Sequence, residues 1–127
     1  MQIVDANIVL RYILDDHIPF SEQAKRIVDK NIVEVPIEVL CEVIYVLSSV
    51  YKVPRFDISI EMKVFFNKTQ CEIPHRNAVF RGLDIYAEKN IDIVDCILAG
   101  YHECENAEVH TFDKRLSNLL MSHAKGE

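Results

Sequence analysis

The chain is expected to form one α/β domain, residues 1–127, built on a parallel sheet with helices over both faces. Three observations predict it. Short apolar stretches, bounded by turn residues, alternate with longer segments of helical spacing. Those stretches are themselves apolar, as strands buried on both faces are. The 127 residues are 50% hydrophobic, enough for one core, and 27% charged, enough for a soluble surface.

Ile3 and Val4 form a first short strand that runs straight into Asp5. Asn7 can cap a helix that reaches Leu14. A second helix spans Phe20 to Asp29, starting near Ser21, and Ile32–Val35 is the second strand. Pro36 suits the first turn of the next helix, where its missing N–H is not needed. That helix continues to Val50, is apolar on most sides, and is therefore expected to be central. Pro54 ends it, and Asp57 can cap a helix over Ile58–Asn67. Cys71–Ile73 is a third strand before Pro74. Arg76–Lys89 carries Val79, Leu83 and Tyr86 at helical spacing, and Ile93–Cys104 is a further helix. Glu108–Thr111 is a last strand and Lys114–Met121 a last helix, which leaves little room for another edge strand.

Composition excludes several functions. Only three glycines occur, and none form a phosphate loop or a dinucleotide fingerprint. No apolar run is long enough to span a membrane, and no basic region precedes an apolar one at the N-terminus. The four cysteines are not spaced as C-x-x-C, so reduced thiols and a cytoplasmic location are expected. The formal net charge of −6 is awkward for a protein that meets phosphate backbones. Four carboxylates matched by bound metal would weaken that objection without removing it, so local basic clusters matter more than the total.

Those four acids are Asp5, Glu42, Asp95 and Asp113, in the strings IVDANIVLRYIL, EVLCEVIYVL, IDIVDCILAG and HTFDKRL. Each sits among apolar neighbours, where an acid costs folding energy unless a cation meets it. Asp5 and Asp113 follow expected strands, and ligands of a parallel sheet collect at the strands' carboxyl ends. Each acid also has an ordinary explanation. Asp5 and Asp113 can be turn or cap residues. Asp95 can be the third residue of a helix capped by Asp92, which is also the alternative ligand. Glu42 can share a solvated stripe with Glu38, one turn earlier. Thr111 adds a hydroxyl near Asp113.

Taken together, the four strings resemble those of PIN-domain ribonucleases, in particular the small VapC-type toxins of prokaryotic toxin–antitoxin pairs. The resemblance covers nearly the whole chain. It implies a three-layer α/β/α sandwich with a mostly parallel central sheet, and an acidic pocket that binds Mg²⁺ or Mn²⁺. It assigns Asp5, Glu42, Asp95 and Asp113 to that pocket, Asn7 to the polar place beside the first aspartate, and Thr111 to the usual Ser/Thr place. It further implies an RNA substrate cut to leave a 5′-phosphate, a homodimer, and a small antitoxin protein that holds the enzyme inactive.

A hard divalent cation held by carboxylates can neutralise a scissile phosphate and make water a nucleophile. Contacts to the RNA backbone are expected from Lys114 and Arg115, next to Asp113, and from Arg11 on the first helix. Aspartyl-phosphate chemistry is disfavoured because Asn7 stands where a second aspartate would be needed. A receiver domain is not supported either. The competing non-enzyme reading is a catalytically silent PIN-like module that docks RNA or protein.

Overall fold

The computed structural model describes residues Met1–Gly126, with side chains through Ser122. It is mostly helical with a small parallel sheet, an α/β arrangement. Two compact units divide the chain, Met1–Pro74 and the residues from His75 on.

The first unit opens with β1 (Gln2–Ile3) and α1 (Ala6–Leu14), followed by α2 (Ile18–Lys30) and β2 (Val33–Glu34). α3 (Ile37–Ser49) and α4 (Arg55–Lys68) complete it. β1 pairs in parallel with β2, Gln2 opposite Val33 and Ile3 opposite Glu34. The expected third strand is reduced to one parallel bridge, Glu34 with Glu72. Two backbone bonds hold that bridge, Glu72 N–H to the Val33 carbonyl and Val35 N–H to the Glu72 carbonyl, both 2.8 Å. The core beneath is aliphatic and aromatic: Val9, Val28, Val33, Val43, Ile44, Ile58, Met62, Phe65 and Phe66 are all buried. Tyr12 meets Phe65 edge-on at 5.3 Å, and Phe65 meets Phe66 at 5.2 Å.

Several helix starts differ from expectation. α2 begins at Ile18 rather than near Ser21, because Pro19 suits a first turn and Ser21 is buried inside the helix. α4 begins at Arg55, directly after Pro54, so Asp57 is an acid of the first turn and not the cap. α3 is not apolar all round. Glu38, Glu42, Tyr45 and Ser49 form an exposed line along it, while Leu40, Val43, Ile44 and Leu47 face the core.

The second unit contains α5 (Arg76–Glu88), α6 (Ile93–Glu105) and α7 (Lys114–Gly126). Val79, Leu83 and Tyr86 of α5 are buried as their spacing requires, against Ile93, Cys96, Ile97 and Ala99 of the unit. Two glycines let α5 and α6 approach backbone to backbone. A Cβ on Gly82 would lie 3.0 Å from the Ile97 Cα, and one on Gly100 would overlap the Ala78 carbonyl oxygen. Arg81 forms an ion pair with Glu103, and His75 Nδ1 lies within hydrogen-bond distance of the Glu105 carboxylate, each at 2.8 Å.

The expected strand Glu108–Thr111 is not a strand. Its backbone is irregular, and its residues alternate between half-buried and exposed as strand residues do. The second unit holds no strand among its described residues, so this stretch has no ladder within its own unit. α7 runs on to Gly126, and no strand follows it among the described residues. Cys41, Cys71 and Cys96 are buried, Cys104 is exposed, and none of the four forms a disulfide. Among the described residues, no helix is long and apolar enough to cross a membrane.

Candidate metal centre

Asp5 ends the first strand segment and caps α1. Its backbone is extended, and its Oδ1 accepts the Ile8 N–H at 3.2 Å. Asn7, expected as the cap, instead lies inside the first turn and is exposed. The correction has a simple cause. Helical geometry begins at Ala6, so the residue whose oxygen can reach the orphan N–H groups is Asp5.

Glu42 sits on α3 between buried Cys41 and buried Val43, yet it is exposed. Each helical residue turns about 100° from the last. A single polar position therefore emerges from an apolar run, and Glu38 one turn earlier emerges with it. Neither acid needs a cation in order to fold.

In the second unit Asp92 caps α6, its Oδ2 accepting the Val94 N–H at 3.0 Å. Asp95 lies in the first turn, where the positive helix end favours an acid. Asp113 caps α7: Oδ1 accepts the Leu116 N–H at 2.9 Å, and its carbonyl accepts the Ser117 N–H at 2.9 Å. The Thr111 hydroxyl accepts the Asp113 N–H at 3.0 Å, fixing the approach to the cap.

Asp95 differs from the other acids electrostatically. Its carboxyl is held above the usual carboxylate range, first by burial, then by the charge of Asp92, then by that of Asp113. Those effects outweigh the favourable helix end. Since the folded value lies above the unfolded one, Asp95 favours folding at low pH, and that contribution is lost as pH rises through the folded value. Asp95→Asn is therefore expected to stabilise the metal-free protein at pH 7 by about 0.5 kcal/mol, a small figure because solvent screens part of the repulsion. Near pH 3 the two proteins should unfold together. Thermal unfolding in EDTA at both pH values checks this.

The basic candidates separate. Lys114 is exposed. Arg115 donates from Nη2 to the Asn90 carbonyl at 2.6 Å. Arg11 is engaged by Asp16 at 2.7 Å. An open groove of about 510 Å³ in the second unit is lined by Val109, His110, Thr111, Phe112, Ser117, Leu120 and Met121. No carboxylate lines it, so it is not a metal centre.

The donor set suits a hard divalent cation, because carboxylate oxygens are the ligands such ions select. Asp95 is raised first by burial and then by the charges of Asp92 and Asp113, and a cation beside it would relieve the second part of that shift. Among the described residues, no group of three or more His, Cys, Asp or Glu is placed to hold a metal ion by itself. Magnesium keeps several waters, so its carboxylates need not all touch it. The link from Thr111 to Asp113 and that from Arg115 to Asn90 were not expected from the sequence. T-x-D before a helix was the available signal for the first, and no local pattern marks the second.

No curated protein and no solved structure matches the chain. The sequence model of the PIN domain, a family of generally metal-dependent nucleases that use Mg²⁺ or Mn²⁺, matches residues 3–119. That match runs through both units and covers Asp5, Glu42, Asp95 and Asp113, so the chain belongs to the PIN domain family.

Proposed function

We propose that the protein is a metal-dependent endoribonuclease, and that Asp5, Glu42, Asp95 and Asp113 act together on Mg²⁺ or Mn²⁺. One observation supports the reading beyond family membership: Asp95 is a half-buried acid whose carboxyl is raised first by burial and then by the charges of Asp92 and Asp113. Acids with raised pKa values gather where a site needs them. The two units together would form a single α/β/α sandwich over residues 1–127, a proposal supported by one family match that spans both.

The chain's own groups suggest a division of labour. Asp5 and Asp113 each spend one oxygen on a helix cap, which fixes the carboxylate's direction before any ligand arrives. Asp95 would be the acid most relieved by a cation. Glu42, exposed on a rigid helix, would orient water or hold a second metal. Lys114 would meet a substrate phosphate next to Asp113. When bound, the metal supplies charge neutralisation at the scissile phosphate and a nucleophile at neutral pH.

The toxin role also belongs to this proposal, with a cytoplasmic location, a homodimer and a cognate antitoxin. It is supported by the resemblance of the four strings to VapC-type toxins. The silent-module alternative keeps one favourable point, the net charge of −6.

Incubating the protein with a mixed RNA substrate in Mg²⁺ or Mn²⁺, with and without EDTA, tests the reading. Cleavage that disappears in EDTA and returns with added metal is expected. Binding without cleavage under every metal condition would favour the silent module.

A further inference from the structure

We infer that Arg115 is a positioning residue, a strut between the start of α7 and the segment that carries Asp92. This inference rests on the proposed metal site and adds a residue that holds it in shape.

The segment between α5 and α6 is short and held at several points. Lys89 N–H reaches back to the Ile85 carbonyl at 2.8 Å, closing α5. Ile91 N–H bonds the Lys89 carbonyl at 2.9 Å, a tight turn centred on Asn90. Asp92 then caps α6. The Asn90 carbonyl accepts from the Arg115 guanidinium at 2.6 Å. Arg115 stands two residues after Asp113, in the first turn of α7. One side chain therefore ties the helix that begins at Asp113 to the turn two residues before Asp92.

Geometry, not neutralisation, is the contribution. Asp92 caps α6, Asp95 lies in its first turn and Asp113 caps α7, so the three acids hang on two helix starts. Helix starts are anchored by whatever crosses between them. Here the crossing element is a planar, always-charged group that can hold a carbonyl in a fixed direction. A lysine at the same position has one nitrogen on a flexible stem and would hold it more loosely.

Mn²⁺ titration followed by electron paramagnetic resonance tests the inference, with circular dichroism to check folding. Wild type, Arg115→Ala, Arg115→Lys and Lys114→Ala are compared. Arg115→Ala should bind Mn²⁺ about tenfold more weakly, the effect of losing a group that orients metal ligands. Arg115→Lys should fall between it and wild type, and it serves if the alanine variant does not fold. Lys114→Ala should keep wild-type Mn²⁺ affinity and lose only in KM for RNA. If both Arg115 variants bind Mn²⁺ as tightly as wild type, the strut is refuted while the metal site stands. If wild type itself binds no Mn²⁺, the metal site fails and the strut fails with it.

Discussion

Asp5→Asn is expected to lower RNA cleavage by roughly a hundredfold to a thousandfold, the scale of losing one preorganised electrostatic group, with almost no change in stability. The contrast is the point of the substitution. Asp5 caps α1 through Oδ1, which accepts the Ile8 N–H. Asparagine offers the same oxygen and caps a helix as well as aspartate does. The helix is preserved and only the negative charge is lost. If Asp5 were a cap and nothing more, Asp5→Asn would cleave RNA as well as wild type. Asp5→Ala removes both functions, and should cost about 1 kcal/mol of stability in addition. Single-turnover cleavage and thermal unfolding of the three proteins separate the two roles. The same reasoning covers Asp113, whose Oδ1 accepts the Leu116 N–H.

Gly100→Ala is expected to produce the largest loss of stability of any one-carbon change in the chain, about 3 kcal/mol or more. The added Cβ would overlap the Ala78 carbonyl oxygen and lie 2.9 Å from the Ala78 carbonyl carbon. Both are backbone atoms of α5, so no rotamer change relieves the clash and one helix must move. Alanine's better helix propensity returns about 1 kcal/mol at most. Gly82→Ala is a milder case, with closest approaches of 3.0 Å to the Ile97 Cα and 3.1 Å to the Cys96 carbonyl. Urea unfolding should rank wild type above Gly82→Ala and Gly82→Ala above Gly100→Ala. Wild-type stability in Gly100→Ala would contradict the close approach of α5 and α6. Because α6 carries Asp92 and Asp95, Gly100→Ala should lose activity through folding, unlike Asp5→Asn.

The helices were legible because their signals are local. Val79, Leu83 and Tyr86 repeat at helical spacing and are buried together. Pro36 marks the start of α3 as a fixed-φ residue should, whereas Pro54, read as the end of that helix, directly precedes α4. Cap identity was less legible. Asp5 and Asn7 are equally good caps by type, and only the onset of helical dihedrals chooses between them. Strands were least legible, because pairing is not local. Cys71–Ile73 contributes a single bridge at Glu72, and Glu108–Thr111 keeps the alternation of a strand without a ladder in its own unit.

Among the site residues, the family match covers all four acids, but their surroundings could not be read in advance. Glu42 was read either as an acid among buried neighbours or as part of a solvated stripe with Glu38, and the helix turns both glutamates outward. Asp95 is the first-turn acid behind the Asp92 cap that its ordinary explanation described, and its carboxyl is raised by burial and by the charges of Asp92 and Asp113. The contribution of Asp113 to that shift depends on folding, since α6 separates the two residues in sequence. Arg115 was expected to face a phosphate, and its bond to the Asn90 carbonyl is a contact between residues distant along the chain.

The central claim is that carboxylates from well-separated stretches of one chain serve the same ion. Titrating Mn²⁺ into Asp5→Asn, Glu42→Gln, Asp95→Asn and Asp113→Asn tests it most directly. A single class of binding in wild type, weakened by every one of the four changes, is the predicted result. Undiminished affinity in Asp5→Asn and Glu42→Gln, with loss confined to Asp95→Asn and Asp113→Asn, would contradict it.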